Sequence, residues 1–162
     1  MYPEALDTYR KVNEQFFGNP SSLHRLGNEA DALLQQSRKQ IAHLLGAQPD
    51  EIFFTSGGTE SDNWAIKGTA MEKFAAGKHM IASSVEHPAV TKSLEQLEKL
   101  GFEISYLPVD ANGIVSLDEL EKAIRKDTIL LSVMAINNEV CSIQPIEAIG
   151  ELLENYPWVH FH

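Results

Sequence analysis

The chain has 162 residues, of which 43% are hydrophobic and 22% are charged, and its formal net charge is -10. This length is typical of one domain with a substantial core, and no stretch approaches the apolar length that crosses a bilayer. An acidic surface without a Lys/Arg stripe repels the nucleic-acid backbone, so composition argues against both membrane and nucleic-acid partners.

The compartment is indicated by two features of the sequence. The first residues, "MYPEALDTYRKVNEQ", have neither the basic nor the apolar segment of a secretory signal. The only cysteine, Cys141, excludes an internal disulfide and fits a reducing environment. We therefore expect a cytoplasmic protein.

The first third of the chain is predicted to be helical. Residues 3–16 form one helix, which the turn formers Gly18, Asn19 and Pro20 end. Apolar residues then recur at three- and four-residue spacing, which predicts a long helix that ends at Gly46.

From residue 52 onward, short apolar runs alternate with helix-length amphipathic segments. The runs are predicted strands at 52–55, 79–83, 103–107 and 129–136. Ser116 and Glu119 form a predicted capping box for a helix that runs to about Lys126. The run "ILLSVMAI" is apolar on both faces, as in a central parallel strand. The predicted fold is a three-layer α/β/α architecture with a mostly parallel sheet.

The sequence has no repeats and no linker, so residues 1–162 are expected to belong to one domain. After a predicted helix at 146–156, "PWVHFH" begins another strand, and the sequence stops within it. A strand without a following helix leads us to expect a longer parent chain.

Polar residues follow three of the predicted strands, at the edge where parallel sheets bind ligands. In "TSGGTES", Gly57 and Gly58 let the backbone approach an anion, and Ser56, Thr59 and Ser61 offer hydroxyls beside the free amides of a helix N-terminus. A phosphate is the expected ligand, although a simple helix cap explains the turn equally well. The spacing matches neither a nucleotide P-loop nor a dinucleotide motif.

Two further clusters lie at the same expected edge. His87 follows a strand and precedes Pro88, where an imidazole can stack on an aromatic ligand and move protons, although a surface or capping role is favoured when His87 is taken alone. Asn137 and Asn138 end the central strand and serve either a ligand or a turn. No metal site is expected. The other histidines singled out, His24, His43, His79 and His160, are interpreted as structural.

The stretches "FGNPSSLH", "FFTSGGTESDNWAIKG", "SSVEHPAV" and "NNEVCSIQPI", in this order, resemble the NifS/IscS group of cysteine desulfurases. These are pyridoxal phosphate enzymes with the fold of the aspartate aminotransferase type, and the resemblance covers essentially the whole chain. It implies that Gly58 and Thr59 bind the cofactor phosphate, that His87 stacks on the ring with a catalytic role in proton transfer, and that Asn138 contacts cofactor and substrate.

The resemblance also implies an activity. Such enzymes convert L-cysteine to L-alanine, and the sulfur passes to an enzyme cysteine as a persulfide and then to iron–sulfur cluster assembly or tRNA thiolation. A homodimer and a sulfur-acceptor or scaffold protein are the implied partners.

Several family features are missing from the sequence. The aspartate and glutamine that contact the ring, the lysine that anchors the cofactor and the nucleophilic cysteine are all expected beyond His162. The family's opening strand would precede Met1. Cys141 stands where the family usually has glycine and is interpreted as a half-buried loop thiol. Lys67, Lys73 and Lys92 are interpreted as solvated helix charges rather than the anchoring lysine.

The chain is therefore expected to be part of the large, cofactor-binding domain. Alone it is expected to be inactive, because it lacks the lysine that anchors the cofactor. Two alternatives remain open. One is a relative of the same fold, such as a selenocysteine lyase or an aminotransferase-like enzyme. The other is a short, non-catalytic protein that acts through a protein partner, which an unfinished sheet with an open strand edge would require.

Overall fold

A computed structural model describes all residues, 1–162, as two compact units, Met1–Phe54 and Thr55–His162. The helices are α1 Pro3–Gln15, α2 Arg25–Leu45, α3 Gly58–Glu72, α4 Pro88–Glu98, α5 Leu117–Ala123 and α6 Ile146–Leu153. The strands are β1 His79–Ser83, β2 Glu103–Leu107, β3 Thr128–Ser132 and β4 His160–Phe161. None of the helices has the length and apolarity needed to cross a membrane.

The first unit contains α1, α2 and a 3-10 turn at Pro49–Glu51. His24 caps α2, because its Nδ1 accepts from the Gly27 amide at 3.2 Å. Gly27 packs so closely that a Cβ would lie 2.3 Å from the Ser22 carbonyl oxygen, which explains the glycine there. Gly46 ends α2 in the left-handed conformation, with φ 68°, as the sequence predicts.

The strand predicted at 52–55 is wrong. The sheet contains only the four strands of the second unit. The Arg38 guanidinium donates to the Ile52 carbonyl and lies 5.1 Å from the centre of the Phe54 ring. The carbonyl that would pair with a neighbouring strand is therefore bound by a side chain.

The second unit is a four-stranded, all-parallel sheet in the order β2-β1-β3-β4. Successive residues of β1 face opposite layers, since Met80 packs with α3 and α4 whereas Ile81 packs with α5 and α6. The three-layer α/β/α prediction is confirmed. Membership of residues 1–162 in one domain of a larger protein stays a prediction.

Element ends differ slightly from expectation. Helix α5 ends at Ala123 rather than near Lys126, and β3 ends at Ser132. Half of the predicted capping box forms, because Ser116 Oγ accepts from the Glu119 amide at 3.4 Å while the Glu119 carboxylate pairs with Lys122.

The order of the strands defines a topological switch point. Strand β1 continues through α4 to β2 on one side, whereas β3 lies on its other side. In an open parallel sheet, ligands bind outside the carboxyl ends of the strands at such a point. The ends of β1 and β3 are therefore where a binding site is expected.

Candidate functional site

A cavity of about 490 Å³ lies at this switch point, a volume in the range of small-molecule sites. Its wall is formed by residues that follow β1 and β3, by the end of β4 and the residue after it, and by single residues of α3, α4 and α6. They are Asp62, Glu86, His87, Val90, Val133, Met134, Ala135, Ile146, Phe161 and His162.

The glycine turn leads directly into α3. Gly57 has φ 156° and ψ -179°, a conformation that is open essentially to glycine alone. No side chain caps this helix, and the first intrahelical bond joins the Ser61 amide to the Gly57 carbonyl at 3.1 Å. The first-turn amides at Gly58, Thr59 and Glu60 are thus left without helical partners. A Cβ built at Gly58 meets nothing within 4 Å, so the space before these amides is open.

Two of the three predicted hydroxyl donors in this turn are already engaged. The Glu60 carboxylate accepts from both the amide and the hydroxyl of Ser56, each at 2.7 Å, and these bonds lower the pKa of Glu60. The Ser61 hydroxyl lies 2.7 Å from that of Thr55. The hydroxyls of Ser56 and Ser61 therefore have partners within the turn, and the contact of these residues and Thr59 with an anion stays a prediction.

Asp62 of α3 lines the cavity, whereas Gly58 and Thr59 are not among its lining residues. They precede Asp62 by four and three residues, the spacing at which helical side chains share a face. The structure therefore places α3 and His87 at one cavity, with the glycine turn one helical turn before Asp62. Their roles toward a ligand stay predictions.

His87 caps α4, since its Nδ1 accepts from the Ala89 amide at 3.1 Å and Pro88 begins the helix. Because Nδ1 accepts, the neutral ring carries its proton on Nε2. The imidazole at the cavity wall is thus held in one tautomer, with Nε2 left for other contacts.

Glu86 is a site residue that the sequence reasoning missed. Its half-buried carboxylate accepts from the Ser83 hydroxyl at 2.6 Å and from the Met134 amide at 2.8 Å. Burial raises its pKa above the ordinary value, and these two bonds oppose that effect. Its position in "SSVEHP", between a strand end and His87, was the available signal.

Sequence reasoning also missed a row of three polar side chains, which connects β3, the residue after β4, and α3. Ser132 Oγ lies 2.9 Å from His162 Nδ1, and His162 Nε2 lies 3.7 Å from the Asp62 carboxylate. The cavity wall therefore contains two carboxylates and two imidazoles.

The two asparagines behave differently. Asn137 is buried and donates to the Val85 carbonyl at 3.1 Å, whereas Asn138 is exposed and does not line the cavity. The contact of Asn138 with cofactor and substrate stays a prediction. Asn137 is the member of the pair that the structure connects with the segment before His87.

Cys141 is exposed rather than half-buried, so that expectation is wrong. It has φ 58°, the left-handed conformation that glycine adopts most readily, in the turn closed by the Ile136–Ile143 bridge. A turn position of this kind lies at the surface.

The three lysines that were expected to be solvated helix charges make different contacts. Lys92 pairs with Glu95 on an exposed surface. Lys67 instead donates to Asn63 and Gln96, and Lys73 donates to the Trp158 carbonyl. None of the three lines the cavity.

The parallel sheet and the cavity at its switch point define the class as an α/β protein with a candidate small-molecule site. The family model described as aminotransferase class-V matches residues 1–161, and the chain belongs to that family. Class-V aminotransferases and the cysteine desulfurases among them depend on pyridoxal phosphate. The family resemblance seen in the sequence is confirmed.

The relatives are named consistently. A NifS/IcsS protein homolog of Lactobacillus delbrueckii subsp. bulgaricus is 56% identical over 162 residues, which are 100% of this chain and 42% of that protein. Cysteine desulfurase IscS of Dictyoglomus turgidum is 49% identical over 159 residues, or 98% and 40% of the two chains. The chain thus spans about two fifths of the length of these relatives.

Solved structures agree with the fold. A NifS-like protein superposes with a TM-score of 0.96 at 37% identity, over 100% of this chain and 45% of that one. A structure described as SspA in complex with cysteine gives 0.93 at 38% identity, over 100% and 46%.

The residues of the cavity fit pyridoxal phosphate. The open space at Gly58 and the free amides of the first turn of α3 suit a phosphate. The imidazole of His87 at the wall suits a flat ring, and the cavity volume suits a cofactor of this size.

Proposed function

We propose that this chain carries part of the cofactor site of a cysteine desulfurase. The complete enzyme converts L-cysteine to L-alanine. The C–S bond of the substrate breaks and its electron pair stays on carbon. An S–S bond forms with an enzyme cysteine, and the proton of that thiol ends on the carbon of the alanine product. This proposal takes its substrate from the names of the relatives, which are cysteine desulfurases.

One observation supports the proposal above the others. Asp62, in the second turn of α3, and His87 line the same switch-point cavity, and one turn before Asp62 the space at Gly58 is open. An anion-binding turn and a flat basic ring at one cavity match the two ends of pyridoxal phosphate.

The residues of this chain have separate tasks in the proposal. The amides of Gly58 and Thr59 and the Thr59 hydroxyl bind the phosphate. His87 lies against the ring and holds a proton at Nε2, because Nδ1 is occupied by the Ala89 amide. The apolar residues Val90, Val133 and Phe161 limit water in the cavity. The bound cofactor supplies an electron sink for the substrate Cα.

We extend the proposal to the setting of the complete protein. It acts in the cytoplasm as a homodimer and passes its persulfide sulfur to an acceptor or to an iron–sulfur scaffold protein. The chain alone is proposed to be inactive, since no lysine lines the cavity to anchor the cofactor.

The test compares two proteins. The longest native reading frame that contains this sequence is incubated with pyridoxal phosphate and L-cysteine, and alanine and protein-bound persulfide are measured. We expect both products in equal amounts in a single turnover, and neither from residues 1–162 alone. Product from L-selenocysteine but not from L-cysteine would overturn the proposal in favour of a selenocysteine lyase.

A further inference from the structure

Two side chains connect the segment that precedes His87 to the segment that follows β3. We call residues 84–87 the His87 turn and residues 133–140 the β3 exit. Each is an irregular segment at the carboxyl edge of the sheet. Such segments hold a side chain in place only when other contacts fix them.

The first connection is made by Glu86. One of its oxygens, Oε1, accepts from Ser83 Oγ at 2.6 Å and from the Met134 amide at 2.8 Å. The carboxylate thus joins the end of β1 to the β3 exit. Hydrogen bonds to a charged, half-buried acceptor are stronger than bonds between neutral groups.

The second connection is made by Asn137. Its Nδ2 donates to the Val85 carbonyl at 3.1 Å, and its Oδ1 accepts from the amides of Glu139 at 2.9 Å and Val140 at 3.0 Å. The side chain therefore folds the β3 exit upon itself and also binds it to the His87 turn.

We propose that Glu86 and Asn137 are positioning residues that hold the His87 turn against the β3 exit and so fix the imidazole of His87 at the cavity. The inference rests on the proposed function, because the position of His87 matters only if this residue contacts the cofactor. His87 is covalently next to Glu86 and two residues from Val85, so both connections restrain the backbone that carries the ring.

Three variants separate these contacts. Glu86→Gln keeps an Oε1 that accepts from Ser83 and Met134, whereas Glu86→Ala removes it. Asn137→Asp keeps the acceptor for Glu139 and Val140 but removes the donor to Val85. Glu121→Ala, at an exposed position of α5, is the matched control.

The first measurement is amide hydrogen exchange in the cofactor-free protein, followed at Met134 and Ala89. Glu86→Ala is expected to accelerate exchange at Met134 by about ten-fold or more, whereas Glu86→Gln and Glu121→Ala remain within about three-fold of the wild type. Asn137→Asp is expected to accelerate exchange at Ala89, whose amide reports the His87 cap. Far-ultraviolet circular dichroism verifies folding, and if Glu86→Ala fails to fold, Asn137→Asp alone decides the outcome.

The second measurement is the induced circular dichroism of pyridoxal phosphate bound to the complete protein, which reports the orientation of the ring. Glu86→Ala and Asn137→Asp are expected to lose at least about half of the signal, and Glu86→Gln is expected to retain it. A full signal in every variant, or unchanged exchange at Met134 and Ala89, overturns the positioning role. A wild-type protein that shows no cofactor band overturns the proposed function, and the positioning role fails with it.

Discussion

Replacing Gly58 by alanine tests the anion site without disturbing the fold. A Cβ at this residue meets no protein atom within 4 Å, so the methyl group enters the open space in front of the first turn of α3. That is the space through which a phosphate would approach the amides. Gly68 in the middle of α3 is an equally open position away from the cavity, and Gly68→Ala is the control.

Gly58→Ala is expected to change cofactor affinity, whereas Gly68→Ala is expected to change only the stability of the fold. Displacing a phosphate from one charge-assisted amide bond costs about 1.5–3 kcal/mol, so Gly58→Ala is expected to weaken pyridoxal phosphate binding by about ten-fold or more. The same variant is expected to unfold no more easily than the wild type. Gly68→Ala removes a glycine from a helix interior, which stabilises the protein by about 0.5–1 kcal/mol and leaves binding unchanged.

The assay titrates the isotopically labelled chain with pyridoxal phosphate, follows the amides of Gly58, Thr59 and Glu60 by NMR, and measures thermal unfolding of each variant. Equal affinity in the wild type and in Gly58→Ala would refute the assignment of the phosphate to this turn. A loss of affinity in Gly68→Ala of the same size would show that α3 as a whole, rather than its N-terminus, controls binding.

Three further predictions concern stability. Gly57→Ala is expected to cost about 1–3 kcal/mol in urea unfolding, because φ 156° is strained for any residue with a Cβ although the space around it is open. Leu130→Ala, fully buried in β3, is expected to cost about 2–5 kcal/mol in the same assay. Burial and the nearby Arg125 lower the pKa of His79, which lies between Thr128 and Ser105. Its contribution to stability is thus complete above about pH 6.5 and declines as the pH falls toward the lowered value, and His79→Asn should remove that part of the pH dependence.

The regular elements were the predictable part of the fold. Helical periodicity located α2 and its end at Gly46, and the apolar runs located β1 and β2 at the residues observed. The run at 52–55 carries the same local signal, but strand formation also needs a partner, and Arg38 binds the Ile52 carbonyl instead. A contact between residues 14 positions apart does not change the local pattern of apolar residues, so periodicity cannot predict it.

The candidate site was predictable to the extent that its residues follow strand ends. His87 lines the cavity that this logic implies, and Gly58 and Thr59 begin α3, whose Asp62 lines it. Asn138 does not, because its neighbour Asn137 is the one drawn inward by Val85. Glu86 and the pair of Asp62 with His162 were missed, since their roles depend on partners that are 48 and 100 residues away along the chain.

The charges around the cavity predict how its anion affinity responds to salt. No lysine or arginine lines the cavity, whereas Asp62 and Glu86 do, and Glu60 lies in the first turn of α3. A phosphate is then attracted only by uncharged donors, which are the backbone amides and the Thr59 hydroxyl, and by the helix dipole, while nearby carboxylates oppose it. Added salt screens that repulsion at least as well as the attraction. We therefore expect the affinity of this chain for inorganic phosphate to be unchanged or slightly higher when salt is raised several-fold, as measured from the Thr59 amide shift. A steep loss of affinity would mean that a cationic side chain contributes, and the phosphate would then have to bind elsewhere than at the N-terminus of α3.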